Sequence, residues 1–564
     1  MGSSISHQSA AETIYHWHSN QAEQLIFDYG HREISRYLEA VDKIHQFPAN
    51  GRESSELKSM AMVRLKREFQ TVLVRQTDSL IGPNSTTEWS SVTDSTGYVI
   101  RYEDYSVYDS PSKEVIEYLR NVAERMNSGG KLGDCIRVYK SVRKNFLHTV
   151  LKRLRLVELT IGGDAKRFLW DELKMKIELW IQAAKVCFLI LFDREKQICE
   201  KIFEGFGIGA GEECFVEIVK DSANNLLNFA ETVSISNQPS ERMGSILGLY
   251  DTLLSLVPKI NALFDSASAE AIRSGAKVTV SRLEDDVRRM FYDFEKAVFQ
   301  ELSTISDDRG AIHPLTEYVM NYINLIVGHK KLLTNLIKSM PPLNFGDVVI
   351  PEGELGDLKG RSHLALHLIL IIVVLQLNLT GKSEQYEHVP LRHLFVMNNV
   401  RYIVQKIEGS QELCEMIGDD YMKKLNWNVK LAMTSYQIST CDTFLSCFQD
   451  KGLYTTWCFS SQVSKRKLKK RLKDFNLVFE EIRVLHSHWT VLDLELQDEL
   501  RVSMVDRLVP AYKEFLHKFR SHIKIEKHSE VRMKRFQKLI VKHSVEDLET
   551  LVSNDLFSYN EIIV

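Results

Sequence analysis

Apolar residues recur at intervals of three and four along almost the whole chain, the period of amphipathic helices. Two helices are predicted between residues 10 and 78. Ile34, Tyr37, Leu38, Val41 and Ile44 form the stripe of one, which Phe47 and Pro48 close; Met60, Val63, Leu65, Phe69, Val72 and Leu73 form the other. The pattern breaks over 79–112, where IGPNSTTEWSSVTDSTG and an acidic, tyrosine-rich run predict a loop or linker. Ser110 then stands where it can cap a helix with Pro111 in the first turn, since proline there removes only an N–H without a helical partner. Val115, Leu119, Val122 and Met126 supply the stripe of that helix, and Asn127, Ser128, Gly129 and Gly130 end it. Similar stretches follow to the C-terminus, with breaks near 161–164, 205–212, 235–241, 266–276, 304–314, 341–361, 408–411 and 449–464.

Only 27 Gly and 11 Pro punctuate 564 residues, too few for the turns of a sandwich or barrel. The fold class expected is therefore all-α. No repeat of fixed period is present, so antiparallel helix hairpins stacked end to end are expected rather than a short-repeat solenoid. That arrangement would give an elongated rod of helical bundles without a deep central pocket. The expected divisions are an N-terminal helical segment (1–78), the loop (79–112), central bundles (113–340), a second loop (341–361) and C-terminal bundles (362–564).

Leu364 to Leu379, LALHLILIIVVLQLNL, is the most apolar run, but it is shorter than the ~20 residues a membrane span needs and carries His367 and Gln376. A core helix buried on all sides is expected there. The eight cysteines lack CxxC spacing and read as reduced thiols, mostly core fillers. Cys441 and Cys447 share a neighbourhood, but no partners complete a metal site, and neither metal nor cofactor is expected.

Motifs for catalysis are weak. Gly205 to Gly211 contains a formal G-x-G-x-x-A, but LFDREKQICEKIF before it has a helical pattern, whereas a dinucleotide loop needs a strand there. His486 and His488 are two apart and point to different helix faces. His543, Ser544 and Asp547 resemble a triad on paper, but Ser544 with Asp547 three residues on reads as a capping box. A helical hydrolase would need a polar pocket around converging titratable groups.

Charge is more informative. The formal net charge is −3, yet Lys465 to Lys542 holds 20 Lys/Arg against 11 Asp/Glu, a net of +9. On a helix, Arg466, Lys469, Lys470 and Lys473 share one face, with Leu472, Phe475 and Phe479 opposite. Arg535, Lys538 and Lys542 are expected to share a second such face. Two basic faces point to an anionic partner, and a membrane surface is favoured over nucleic acid, because no exposed aromatics or reader motif accompany them. Met1-Gly2-Ser3-Ser4-Ile5-Ser6 fits the pattern for myristoylation of Gly2, and also a Met-Gly-Ser-Ser leader added to recombinant chains. One acyl chain binds membrane only marginally, so a basic face would supply the second signal.

Long stretches between Ile14 and Phe557 resemble the seventy-kilodalton subunit of the exocyst in its plant-type form. They include LIFD from Leu25 with EISRYLEAVDKI, ECFVEIVKDSANNLLNFAETVS from Glu213 and SILGLYDTLLSLVPKINALF from Ser245. Gly310 to Tyr322 (GAIHPLTEYVMNY) and Leu394 to Lys406 (LFVMNNVRYIVQK) resemble the plant branch, and FNLVFEEI, HWTVLDLELQDELRVSM, LVPAYKEF and SVEDLETL follow. The resemblance implies a cullin-repeat-like rod of helical bundles in a vesicle-tethering complex, acting in exocytosis, cytoplasmic and peripheral at plasma membrane and vesicles. It implies other exocyst subunits and Rho-type small GTPases as partners. It implies phosphoinositide contact through Arg466, Lys469, Lys470, Lys473, Lys538 and Lys542. It also implies that the family's N-terminal coiled-coil arm is missing. From this follows an alternative, a repurposed adaptor or pathogen target in plant immunity outside the complex. Cys441, His543 and Val545 stand where the family usually has an aromatic, a Tyr and a Pro, the marks of a diverged member.

Overall fold

A computed structural model describes residues 7–19, 24–46, 52–81, 111–153, 170–207, 209–235, 240–301, 308–338, 340, 360–457, 460–525 and 539–554. The chain falls into two compact units, Met1–Met290 and Phe291–Val564. The first holds α1 (His7–Ser19), α2 (His31–Gln46), α3 (Arg52–Ile81), α4 (Lys113–Ser128), α5 (Leu132–Arg153), α6 (Trp170–Val186), α7 (Phe192–Phe203), α8 (Ala210–Ile235), α9 (Met243–Leu263) and most of α10 (Glu270–Phe299). The second holds the end of α10, then α11 (Pro314–Gly328), α12 (Lys330–Ile337), α13 (His363–Ser383), α14 (Val389–Glu408), α15 (Gln411–Ile417), α16 (Asp419–Cys447), α17 (Lys465–His486), α18 (Leu494–Lys518) and α19 (Val545–Asn554). The all-α class is as the periodicity predicts.

Two short sheets depart from it. β1 (Tyr454–Trp457) and β2 (Ser460–Val463) form an antiparallel hairpin inside the break expected at 449–464. β3 (Ile523–Ile525) and β4 (Leu539–Val541) pair in parallel. Each pair contains apolar, β-branched or aromatic residues, which favour extended backbone.

In the first unit the N-terminal segment contains three helices rather than two, with a 3-10 turn at Ile26–Tyr29. Tyr37, Leu38, Val41 and Ile44 are buried as predicted, but Val63 points outward. The cap of α4 is Ser112, not Ser110. Its hydroxyl accepts the Val115 N–H at 3.3 Å, which puts the buried Pro111 one residue before the cap. Ser110 lies outside the described residues. The expected stripe Val115, Leu119, Val122 and Met126 is buried, and Gly129 ends the helix with Gly130 at φ +69°. Ser274 and Gly275 do not interrupt α10, which starts at Glu270 after a 3-10 turn. Buried charges are paired: Arg143 reaches Glu195 at 2.5 Å, and Tyr139 donates to the same carboxylate at 3.0 Å. A π-helical turn, Cys187–Leu191, joins α6 to α7.

The core of the second unit is α13. Leu364, Leu368, Ile369, Ile372, Leu375 and Leu379 are fully enclosed, so the most apolar run is the buried helix its composition predicts. By length and hydropathy α13 could also span a membrane, as could Ser240–Leu263, but both sit half or more inside the fold. Asn398 and Asn399 on α14 tie this core to the loop before α11. Asn398 donates to the carbonyls of Gly310 and Thr490, each at 2.7 Å, and Asn399 accepts from His313 N at 2.8 Å and the Thr316 hydroxyl at 2.6 Å.

Candidate functional site

The basic stretch forms the first half of α17. Leu468, Leu472, Phe475 and Phe479 are buried at helical spacing. The Phe475 ring packs against Phe448 at 5.0 Å and Tyr512 at 5.2 Å, which seats α17 on α16 and α18. Because that seam is fixed, the other side must face out. Arg466, Lys469, Lys470 and Lys473 are all exposed there, and none makes an ion pair within 4.0 Å among the described residues. Lys465 and Lys467 are exposed beside them.

Electrostatically the arrangement is unfavourable by itself. The first nine residues of α17 carry seven Lys/Arg and no acid. Helix N-termini carry partial positive charge from their free N–H groups, and like charges at i,i+4 repel. An anion at this end would relieve both.

Arg471 has a different task. Its guanidinium donates to the carbonyls of Ser446 at 3.0 Å, Gln449 at 3.1 Å and Lys451 at 3.3 Å. It thereby binds the C-terminal end of α16 to the start of α17. Charge counting alone does not separate it from its neighbours. Its place on the flank of the helix wheel, between the buried seam and the outward face, is the sequence signal that marks it.

Of the second basic group, Lys542 alone falls among the described residues. Arg535, Lys538 and Gly2 lie outside the described residues. Lys542 directly follows β4, so the helical spacing that grouped it with Arg535 and Lys538 does not hold at this position; Leu539, Ile540 and Val541 favour a strand. Its ammonium sits 2.8 Å from Glu480 of α17. The hydrogen bond from Lys542 holds the Glu480 carboxyl below its ordinary range, and Arg483 bonds it as well, at 3.1 Å.

The other motifs have structural roles. Gly205, Gly207 and Gly209 take positive φ in the loop from α7 to α8, so a helix and not a strand precedes them. His486 is buried with Nδ1 2.9 Å from the Tyr436 hydroxyl, while His488 is exposed. Ser544 and Asp547 form the reciprocal capping box: Asp547 N donates to the Ser544 hydroxyl at 3.0 Å, and Ser544 N to the Asp547 carboxylate at 2.9 Å. Cys441 and Cys447 are buried free thiols of α16. The second unit has an open recess of about 780 Å³ among Asn324, Tyr402, Gln405, Lys406 and Glu412. Another, of about 470 Å³, lies in the first unit beside His45, Lys58, Lys66 and Lys131.

A family model described as the C-terminal part of the Exo70 exocyst complex subunit matches residues 178–554. Exocyst complex component EXO70B1 of Arabidopsis thaliana is 31% identical, over 80% of this chain and 68% of that protein. EXO70A1 of the same plant is 30% identical, over 94% of this chain and 85% of that one. The crystal structure of the S. cerevisiae exocyst component Exo70p has the same fold, with a TM-score of 0.55 at 12% identity, covering 98% of this chain and 100% of that one. The chain belongs to the Exo70 family of exocyst complex subunits.

Proposed function

We propose that this chain is an exocyst-type vesicle-tethering subunit that holds phosphoinositide-bearing membrane through the outward face of α17. Family membership supports the tethering role and implies other exocyst subunits as partners. The observation that carries the lipid reading is four exposed basic side chains on one face of a firmly packed helix, without ion-pair partners among the described residues. Each such charge contributes about 1 kcal/mol near an anionic leaflet. Four give a weak, salt-sensitive attachment, so stable docking would require the rest of the complex, a Rho-type GTPase or an acyl chain on Gly2 to add avidity. The location that follows is cytoplasmic and peripheral, at plasma membrane and vesicles.

Vesicle flotation tests the reading. The wild-type chain is expected to float with vesicles that contain phosphatidylinositol bisphosphate, and the quadruple variant R466E/K469E/K470E/K473E to stay in solution. Equal flotation of the two would refute it. Co-purification of the chain with the other exocyst subunits tests the tethering role, and its absence would favour an adaptor acting outside the complex.

A further inference from the structure

The outward face of α17 continues beyond its lysines. At 3.6 residues per turn, Arg466, Lys470, Lys473, Leu477 and Val484 fall within an arc of about 60°. Leu477 lies one turn past Lys473 and is 59% exposed, and Val484, two turns further, is 54% exposed. The buried seam of the helix is complete without them. Glu480 nearby is engaged by Lys542 and Arg483, which leaves Glu481 as the exposed acid beside this strip.

We propose that Leu477 is a membrane wedge: when the lysines of α17 reach an anionic bilayer, this side chain enters the boundary between headgroups and acyl chains. The inference rests on the lipid-docking reading above. A bilayer is the occupant that the charge pattern selects. A protein interface buries an anchor inside a cluster of apolar neighbours. Along its own row Leu477 is flanked by Lys473 on one side and Glu481 on the other. An interfacial helix needs only an apolar side chain below long cationic ones, whose charges stay at headgroup level while their methylenes cover it. The six exposed Lys/Arg that begin α17, Arg471 apart, supply that cationic frame.

The test uses the full chain and vesicles of phosphatidylcholine, phosphatidylserine and phosphatidylinositol bisphosphate, across a NaCl series. L477S is expected to weaken binding about fivefold at every salt concentration, the loss of roughly half a leucine's apolar burial. The steepness of the salt dependence is expected to stay the same, because no charge is removed. L477W is expected to bind at least as well as wild type and to add a vesicle-dependent blue-shifted emission. Wild-type affinity of L477S, or an L477W emission that vesicles do not change, would overturn the wedge while the quadruple charge variant still loses binding. If that variant binds normally too, the docking reading fails and the wedge with it.

Discussion

The side-chain oxygen of Asn399 holds the backbone of His313, accepting its N–H at 2.8 Å inside the second unit. The same oxygen takes the Thr316 hydroxyl at 2.6 Å, and the Asn399 amide donates to Ala311 O at 3.2 Å and Phe395 O at 2.8 Å. His313 in turn caps α11, its Nδ1 accepting the Leu315 N–H at 3.1 Å. One amide thus fixes the start of α11 on α14. Truncation would strand several buried polar groups. N399L is expected to lose about 3 kcal/mol of stability, read as a lower urea midpoint with unchanged helical circular dichroism. An unchanged midpoint would remove Asn399 from this role.

Glu295 and His367 form a second buried relationship, 2.6 Å apart at side-chain exposures of 2% and 1%. Burial raises the Glu295 carboxyl above its ordinary value of 4.5, against the opposing effect of His367. A raised carboxyl contributes stability below pH 4.5 that is lost as pH rises through its folded value. The stability of wild type minus that of E295Q is therefore expected to fall as pH rises from 4.5. Urea unfolding of both proteins between pH 4.5 and 8 measures it, and parallel curves would contradict it.

His486 has the opposite sign. Its ring is buried, stacks on Trp489 at 4.3 Å and meets the Tyr436 hydroxyl. Burial pushes its imidazole down from 6.5 to about 3. A depressed histidine stays neutral in the fold, so its contribution is intact above pH 6.5 and is lost as pH falls towards 3. Acidification is expected to destabilise wild type more than H486Q over that window. Stability profiles of the two proteins that keep the same slope would exclude His486 as a source of acid sensitivity.

Helical periodicity located the seam of α17 and the stripe of α4, and uniform apolar composition located the buried α13, because each is a local feature of a single helix. The capping box of α19 was legible for the same reason: Ser544 and Asp547 are three residues apart. Pairings across the chain were not. Asn399 lies 86 positions from His313, and Lys542 lies 62 from Glu480, so neither partner can be read from spacing. The strand at Leu539–Val541 was missed because a three-residue apolar run fits either period, and its strand propensity becomes decisive once it pairs with Ile523–Ile525. Arg471 was hidden by six basic neighbours whose charge it shares but whose exposure it does not.

If the proposed lipid docking holds, the Glu480–Lys542 pair is expected to make Lys542 behave unlike Lys470 towards a membrane. A free lysine on the α17 face adds a whole charge towards the membrane, whereas Lys542 at 2.8 Å from an ionised Glu480 adds almost none beyond its partner's. K470Q is therefore expected to weaken binding to phosphoinositide vesicles about fivefold, and K542Q less than twofold. E480Q removes the acid and frees the ammonium, so it is expected to strengthen binding about fivefold at low salt, with the gain fading as NaCl rises. Flotation of the three variants at two salt concentrations measures this. Should K542Q weaken binding as much as K470Q, Lys542 must leave Glu480 to meet the lipid, and the pair is a latch rather than a fixed contact.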